Sequence, residues 1–432
     1  MASVIPSRPA QLLVTLFIAW KAFLLLIAVG SSLGPAYDTS STLIHSHVSS
    51  STESVFDLAT KLTRWDAIYF VQSARRGYVF EQEWAFGMGL PTAISTLVKV
   101  FRRLKLDSNE SLEPLIGVVI SHVSHLLSVL ALYGLGLKLY NQRIALIAAL
   151  LHILSPAGLF LSAPYNEATF SFLTFAGFLL LSQGCLDHSR SILGDGAIVG
   201  SGIIFGLATT FRSNGILNGI PFAAYAFLES SRIVKNPNVV SFRRLAAVGI
   251  GGSYIALGSI GPQALAYQLF CSGSSVTEPR PWCSKWLPSI YTFVQERYWN
   301  VGFLRYWTPG NIPLFLLAAP MIYLLMKSGW EILTGAVASV QTQKDLSDPS
   351  LHASLLIGAI ALSQLLLAGA AVTTYHIQVI TRLSSGLPLW YFWLAQKLVD
   401  SGTSKSAGGV VIYMVMYATI QGALFASFLP PA

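Results

Sequence analysis

The chain has 432 residues, of which 53% are apolar and only 11% are Asp, Glu, Lys or Arg. Ordinary soluble domains carry roughly 25% charged residues, so this composition excludes a soluble globular protein as well as the disordered and disulfide-scaffold classes. The mean hydropathy of +0.59 and repeated apolar runs of about 20 residues predict a polytopic membrane protein built from helices. The net charge of +8 is the basic excess expected of cytosolic loops, and no nucleic-acid-binding motif accompanies it.

The first apolar run extends from Gln11 to Gly30 and is interrupted only by Lys21. Its length, and the lack of a clear cleavage site before Ser31, predict a first membrane anchor with a cytosolic N-terminus. The stretch that follows is polar, except for the segment from Phe86 to Phe101, which is short and contains two glycines and a proline. We interpret that segment as an interfacial or re-entrant helix and not as a membrane span.

Ten further apolar segments bring the predicted total to about eleven membrane-spanning helices. They cover residues 114–138, 143–163, 166–184, 194–212, 215–229, 245–271, 312–327, 351–372, 386–398 and 410–428. Alternation from a cytosolic N-terminus then places connections that carry Lys or Arg in the cytosol. The predicted organisation is a cytosolic N-terminus and first helix in 1–30, a first luminal loop in 31–113, helices in 114–271, a second luminal loop in 272–311 and C-terminal helices in 312–432.

Two local features bear on this predicted topology. The acceptor sequon Asn109-Glu110-Ser111 lies in the first luminal loop, where it would be accessible for glycosylation. Cys271 and Cys283 flank the second luminal loop and could pair in an oxidising lumen, although the sequence alone leaves that pairing open.

The unusual polar and aromatic residues of the chain collect on the predicted luminal side. Asp66 lies beyond the first span among arginines and aromatic residues, which is a suitable setting for a general base. Glu81 and Glu83 are the alternative catalytic carboxylates. Arginine side chains can bind a lipid phosphate as bidentate donors, and aromatic faces can stack on sugar rings. The predicted substrate-binding residues are Arg64, Trp65, Tyr69, Gln82, Trp84, Asn166, Glu167, Arg212, Asn214, Trp299, Arg305, His376, Gln378 and Arg382.

Each of these residue types also has a structural explanation. Trp and Tyr are enriched at membrane interfaces, and arginines near helix ends extend to the headgroups. Asn166 and Glu167 could cap the helix that follows them. Asp66 could form a salt bridge with Arg64 or Arg75. A lone histidine such as His376 gives no reason to propose a metal site.

Seven segments carry these residues in chain order. They are RWDAIYF at 64–70, EQEWAFG at 81–87, SAPYNE at 162–167, FRSNG at 211–215, PWC at 281–283, YWNVGFLRYWTP at 298–309 and HIQVITRLSSGLP at 376–388. Together they resemble the GPI mannosyltransferase 2 family, which adds the second mannose in the synthesis of glycosylphosphatidylinositol (GPI) anchors. The stretch from Thr39 to Ser54 is not among the segments that carry the resemblance, and we expect it to be a variable loop.

The resemblance implies a GT-C type glycosyltransferase of the endoplasmic reticulum membrane. The implied donor is dolichyl phosphate mannose, and the implied acceptor is the mannosylated GPI precursor, which receives an α-1,6 link on the luminal side. A β-linked donor and an α-linked product require inversion, with Asp66 as base and with Arg212 and Arg382 at the departing phosphate. Neither a metal nor any other cofactor is expected. A small membrane subunit is a candidate partner.

Two alternatives remain at the level of sequence. A polytopic transporter or lipid flippase would also place Arg and Asn within the membrane, although the two halves of this chain show no internal repeat. A GT-C mannosyltransferase with a different acceptor would differ only in a pocket that the sequence does not reveal.

Overall fold

The computed structural model describes residues 7–31, 37–38, 53–104, 112–187, 189–272, 280–342, 349–400 and 402–429, and the regular elements in those ranges are all helical. The α-helices are α1 Pro9–Gly30, α2 Glu53–Leu62, α3 Ala67–Arg76, α4 Gly89–Arg103, α5 Glu113–Leu139, α6 Gln142–Ile153, α7 Asn166–Cys185, α8 Ile192–Phe211, α9 Gly219–Lys235, α10 Val239–Cys271, α11 Ile290–Trp299, α12 Ile312–Thr342, α13 Pro349–Thr373, α14 Ile380–Leu383, α15 Leu389–Val399 and α16 Ser404–Ala426. Short 3₁₀ turns connect several of them. The predicted all-α polytopic architecture is confirmed.

Eight helices in the described ranges are long and apolar enough to cross a membrane, namely α1, α5, α7, α8, α10, α12, α13 and α16. The other three expected spans correspond to the shorter helices α6, α9 and α15, which have 12, 17 and 11 residues. At 1.5 Å per residue, α6 is only about 18 Å long, against a hydrocarbon thickness of roughly 30 Å. Helices are thus present at all the predicted apolar segments, but α6 and α15 are shorter than the roughly 17 residues that a membrane span needs.

The segment predicted to lie at the membrane interface forms the 15-residue helix α4. Leu90, Ile94 and Val98 are buried and recur every four residues, so one face of α4 packs against the protein. This helix is not among the eight of span length. The sequon at Asn109 and most of the Thr39–Ser54 stretch lie outside the described residues.

Glycines let α8 and α10 approach each other closely. A Cβ atom at Gly258 would lie 2.1 Å from the carbonyl oxygen of Gly206, and one at Gly202 would lie 2.3 Å from the Cα atom of Gly251. Because only glycine permits such an approach, these positions fix how the two helices cross. The packing brings the C-terminal end of α8 at Phe211 beside the middle of α10, where both helices line a cavity.

The described part of the second predicted luminal loop, residues 280–311, contains α11 and packs against α10 and the 3₁₀ turn Glu81–Phe86. A disulfide joins Cys271 and Cys283, whose Cα atoms are 5.6 Å apart. Beside it, Trp282 is fully buried and packs with Ile290 and Val294 of α11. The pairing that the sequence left open is therefore present, and it holds this loop next to the cavity.

Candidate active site

A cavity of about 350 Å³ lies where the ends of α3, α7, α8, α11 and α14 meet the middle of α10. Ten of the predicted site residues line it, namely Asp66, Tyr69, Trp84, Asn166, Glu167, Arg212, Asn214, Trp299, His376 and Arg382. The predicted catalytic carboxylate and the predicted phosphate-binding arginines are therefore brought together, although they come from segments as far as 316 residues apart.

Asp66 stands directly before α3, at a sharp change in chain direction. The preceding residue, Trp65, has a φ of 54° in the left-handed region, which is uncommon for a residue other than glycine and is often found at functional sites. The ring of Trp65 packs against Phe428 with 5.2 Å between centroids. This turn presents Asp66 to the cavity with 33% of its side chain exposed.

Two carboxylates and two arginines form one ion-pair cluster in the cavity wall. Nη1 of Arg382 is 2.9 Å from Oδ2 of Asp66, and its Nε is 3.3 Å from Oε1 of Glu167. The same oxygen of Glu167 is 2.6 Å from Nη1 of Arg212. The formal charges of these four groups cancel. Asp66 therefore pairs with Arg382, and not with the neighbouring Arg64 or Arg75 that the sequence offered.

The two carboxylates of this cluster differ in access and in number of partners. Glu167 is 1% exposed and is shared between Arg212 and Arg382, whereas Asp66 is one-third exposed and has Arg382 as its cation. Asp66 is therefore the carboxylate of the pair that a hydroxyl entering the cavity can reach.

Aromatic rings hold the guanidinium of Arg382 in place. Its central carbon lies 4.9 Å from the ring centroid of Phe160 and 5.3 Å from that of Tyr165. Burial by itself lowers the pKa of Arg382, but the negative charges of Glu167 and Asp66 outweigh that effect and raise its pKa above the ordinary value. Burial, and to a smaller extent the negative charge of Asp66, raise the pKa of Tyr165 well above its usual range. Arg382 thus stays a cation and Tyr165 stays neutral.

Asn166 connects three segments of the site. Its side-chain nitrogen donates to the carbonyl oxygens of Phe86 and Phe211, both at 2.7 Å. Asn166 and Glu167 are the first two residues of α7, but the N-cap position is Tyr165 and no side chain caps the helix, so the capping interpretation is wrong. The side chains of Asn166 and Glu167 line the cavity instead. Nearby, Nε of Arg212 is 3.4 Å from Oδ1 of Asn214.

A group of aromatic rings also lines the cavity. Tyr69 and Phe86 are stacked with centroids 4.6 Å apart, and Trp299 meets Phe86 edge-on at 5.2 Å. His376 stacks on Tyr306 at 4.6 Å, and its Nε2 is 3.1 Å from the carbonyl oxygen of Trp299. These contacts present aromatic faces of the kind on which sugar rings pack.

Glu81, one of the two alternative catalytic residues, does not line the cavity. It is 5% exposed and accepts hydrogen bonds from Nε1 of Trp282 at 2.8 Å and from the hydroxyl of Tyr298 at 3.2 Å. Arg280 lies 3.9 Å away. The carboxylate of Glu81 therefore attaches the second predicted luminal loop to the 3₁₀ turn Glu81–Phe86.

Glu83 is also directed away from the cavity and is 2% exposed. It forms an ion pair with Arg76 and accepts from the backbone nitrogens of Val79 at 2.8 Å and Phe80 at 3.1 Å. These contacts stabilise the turn that follows α3, so the role of Glu83 is structural.

Five other predicted binding residues lie outside the cavity lining: Arg64, Trp65, Gln82, Arg305 and Gln378. Arg64 is buried, with its guanidinium 4.9 Å from the ring centroid of Phe428. Arg305 is exposed and pairs with Glu296 at 3.1 Å. Gln378 accepts a hydrogen bond from the hydroxyl of Tyr306 at 3.0 Å, so it supports the ring that stacks on His376.

Sequence reasoning missed several residues of the lining. Tyr165 lay within a quoted segment but was not selected. Tyr291 and Gln295 line the cavity together with Trp299, and these three residues are spaced four apart on α11. That spacing was the available signal, because residues four apart share one face of a helix.

Comparison with known proteins gives a consistent result. The profile of the family described as "Mannosyltransferase (PIG-V)" matches residues 8–432. A GPI mannosyltransferase 2 of Chaetomium globosum is 47% identical, over 99% of this chain and 97% of its own. A GPI alpha-1,6-mannosyltransferase 2 of Cricetulus griseus is 34% identical, over 78% of this chain and 73% of its own.

Among solved structures, the oligosaccharyltransferase of Archaeoglobus fulgidus, in complex with an inhibitory peptide and a dolichol-phosphate, aligns with a TM-score of 0.47 and 12% identity. The alignment covers 94% of this chain and 56% of the solved one. The family match, in contrast, extends over nearly the whole sequence. This chain therefore belongs to the PIG-V family of mannosyltransferases, as its seven sequence segments predicted.

Proposed function

We propose that this protein adds the second mannose of the GPI anchor. It transfers mannose from dolichyl phosphate mannose to the first mannose of the GPI precursor, through an α-1,6 link, on the luminal side of the endoplasmic reticulum membrane. The names of its relatives support the reaction. The observation that carries the proposal is the partly exposed carboxylate of Asp66, held by Arg382 in a cavity lined with aromatic rings.

In the proposed step, Asp66 removes the proton from the 6-hydroxyl of the acceptor mannose. The hydroxyl oxygen bonds to the anomeric carbon of the donor as the bond from that carbon to the phosphate oxygen breaks. The bonding electrons leave with dolichyl phosphate, whose charge changes from one negative to two. The attack is in line, so a β-linked donor gives an α-linked product without a covalent intermediate.

The charge balance within the ion-pair cluster changes during this step. Before reaction Arg382 is shared by Asp66 and Glu167. When Asp66 becomes protonated it loses its negative charge, and its attraction for Arg382 falls just as the charge on the phosphate grows. We assign to Arg382, together with Arg212, the stabilisation of the departing phosphate. Such preorganised cations stabilise the transition state more than the ground state.

The remaining lining suits the sugars. Tyr69, Phe86 and Trp299 supply apolar ring faces, and Asn214 supplies polar atoms for hydroxyl groups. Pockets of this kind, mostly apolar with a few placed polar groups, orient a ligand while keeping water out.

The luminal placement draws support from the disulfide between Cys271 and Cys283, because disulfides persist in oxidising compartments such as this lumen. Glu81 and Glu83 are not retained as bases, since their oxygens are taken up by structural partners. A small membrane subunit stays a candidate partner, and a reaction without metal or cofactor stays an expectation. Family membership favours a transferase over a flippase.

The test is complementation of cells that cannot add the second GPI mannose, with the GPI lipids identified by mass spectrometry. Expression of this chain should convert the precursor with one mannose into one with two, and an α-1,6-specific mannosidase should remove the added residue. Cells carrying Asp66→Asn serve as the control. Extension of a different lipid-linked saccharide, with the GPI precursor unchanged, would indicate a mannosyltransferase with another acceptor.

A further inference from the structure

Lys21 is a charged residue inside the first membrane helix. It is the single charged residue of the 22-residue helix α1, and its side chain is buried, with the residue 4% exposed. A lysine at the centre of a membrane span costs about 2.5 to 3.5 kcal/mol, and such residues commonly have a functional partner. The mechanism above makes no use of it.

The side-chain nitrogen of Lys21 has two partners on a distant segment. Its Nζ donates to the carbonyl oxygen of Leu161 and to the hydroxyl of Ser162, both at 2.8 Å. Leu161 ends the 3₁₀ turn Gly158–Leu161, and Ser162 opens the segment SAPYNE. The contact therefore links α1 to a segment 140 residues away along the chain.

That segment supports the ion-pair cluster of the cavity. The rings of Phe160 and Tyr165 contact the guanidinium of Arg382, and Glu167 forms ion pairs with both arginines. Next to the Lys21 contact, the hydroxyl of Ser121 donates to the carbonyl oxygen of Ala163 at 2.6 Å. Further along the segment, the hydroxyl of Tyr165 donates to the carbonyl oxygen of Arg64, and Asn166 donates to Phe86 and Phe211. Lys21 and Ser121 thus fix the backbone immediately before the residues that orient Arg382.

We propose that Lys21 is a positioning residue for the mannosyl transfer. By holding Leu161 and Ser162, Lys21 fixes the positions of Phe160, Tyr165 and Glu167. Those three residues in turn hold the guanidinium of Arg382 beside Asp66. This inference rests on the catalytic role proposed for Asp66. A displacement of about 1 Å in a catalytic arrangement can cost about 100-fold in rate, so loss of the anchor should lower turnover.

Docking of α1 does not depend on Lys21 alone. Leu13, Phe17, Leu24 and Ala28 are buried on the same face of the helix and pack against neighbouring apolar residues. Replacement of the lysine side chain by an apolar one of similar length should therefore leave α1 in place while releasing the segment at residue 161.

The test is Lys21→Met, assayed with purified full-length protein for abundance, kcat and the KM of each substrate. The matched control is Gln364→Met in α13, because Gln364 is also buried and also donates to a backbone carbonyl, that of Leu325, and to a serine hydroxyl, that of Ser328. These groups do not line the cavity. We expect kcat to fall by about 10- to 100-fold in Lys21→Met and to stay within about twofold of wild type in Gln364→Met.

Wild-type kcat per mole of folded Lys21→Met, or an equal loss in Gln364→Met, would overturn the proposal. If Lys21→Met does not fold, Ser162→Ala decides the matter, because it removes one of the two acceptors and should lower kcat severalfold without raising either KM. An unchanged kcat in Ser162→Ala would then overturn it. Asp66→Asn is assayed in parallel. Activity in that variant would refute the proposed base, whereas an inactive Asp66→Asn beside a fully active Lys21→Met would refute only the role of Lys21.

Discussion

Replacement of Arg382 by lysine tests how the cation of the cavity works. The guanidinium contacts two carboxylates at once, with Nη1 at Asp66 and Nε at Glu167, while its face lies against Phe160 and Tyr165. An ammonium group keeps the positive charge but lacks the planar fork, so it can serve only one of those carboxylates with good geometry.

The magnitude follows from the contacts. Arg382 donates one hydrogen bond to a carboxylate, from Nη1 to Asp66, while its Nε forms an ion-pair contact with Glu167 without a hydrogen bond, in a site where the side chain is 18% exposed. A hydrogen bond between charged groups contributes about 1.5 to 3 kcal/mol, and Arg382→Lys cannot keep that bond and the second ion pair together. A loss of about 2 kcal/mol at the transition state corresponds to roughly 30-fold in kcat. The KM of the acceptor should change little, because the aromatic residues that bind sugars are untouched.

The assay is mannosyl transfer from dolichyl phosphate mannose by purified enzyme, with Arg212→Lys as the matched control. Arg212 shares Glu167 but does not contact Asp66. Because Arg212 is also assigned to the departing phosphate, Arg212→Lys should raise the KM of the donor and lower kcat, but it should lower kcat less than Arg382→Lys does. A kcat for Arg382→Lys within about twofold of wild type would refute the reasoning, and so would equal effects of the two substitutions on kcat.

Three further outcomes are expected. Glu81→Gln and Glu83→Gln should each lower protein abundance yet leave turnover per folded molecule within a few-fold of wild type, measured on purified protein; loss of turnover in either would restore it as a candidate base. Cys271→Ser should destabilise the second loop by about 2 to 4 kcal/mol and lower the thermal midpoint, and an unchanged midpoint would argue against the disulfide. Asn109 should be glycosylated, giving a glycosidase-sensitive mobility shift that Asn109→Gln abolishes; no shift even with an optimised sequon at that site would contradict the luminal assignment.

Much of the architecture could be predicted because membrane helices are encoded locally. A run of about 20 apolar residues has few alternatives in a bilayer, so segments such as 114–138 and 351–372 were located from composition alone. The short helices α6 and α15 show the limit of that rule. Apolarity locates a helix, but whether the helix crosses depends on neighbours that the local sequence does not contain.

Part of the site could also be predicted from local sequence. Asp66 and Arg382 could each be selected as unusual polar residues, but their pairing across 316 residues follows only from packing. The sequence favours Asp66 as the base but does not exclude Glu81 or Glu83. The two glutamates differ from Asp66 because Trp282 and Arg76, brought in by folding, occupy their oxygens.

The most direct test of the proposed mechanism is the turnover of Asp66→Asn. Asparagine keeps the size and most hydrogen bonds of the side chain but cannot take the proton, so folding and donor binding should persist while kcat falls by about 10² to 10⁴. That range corresponds to a barrier increase of roughly 3 to 5 kcal/mol. Transfer is measured per mole of purified, folded enzyme at saturating donor and acceptor. A purely structural ion pair with Arg382 predicts instead lower abundance with nearly normal turnover, and that result would contradict the assignment of Asp66 as the base.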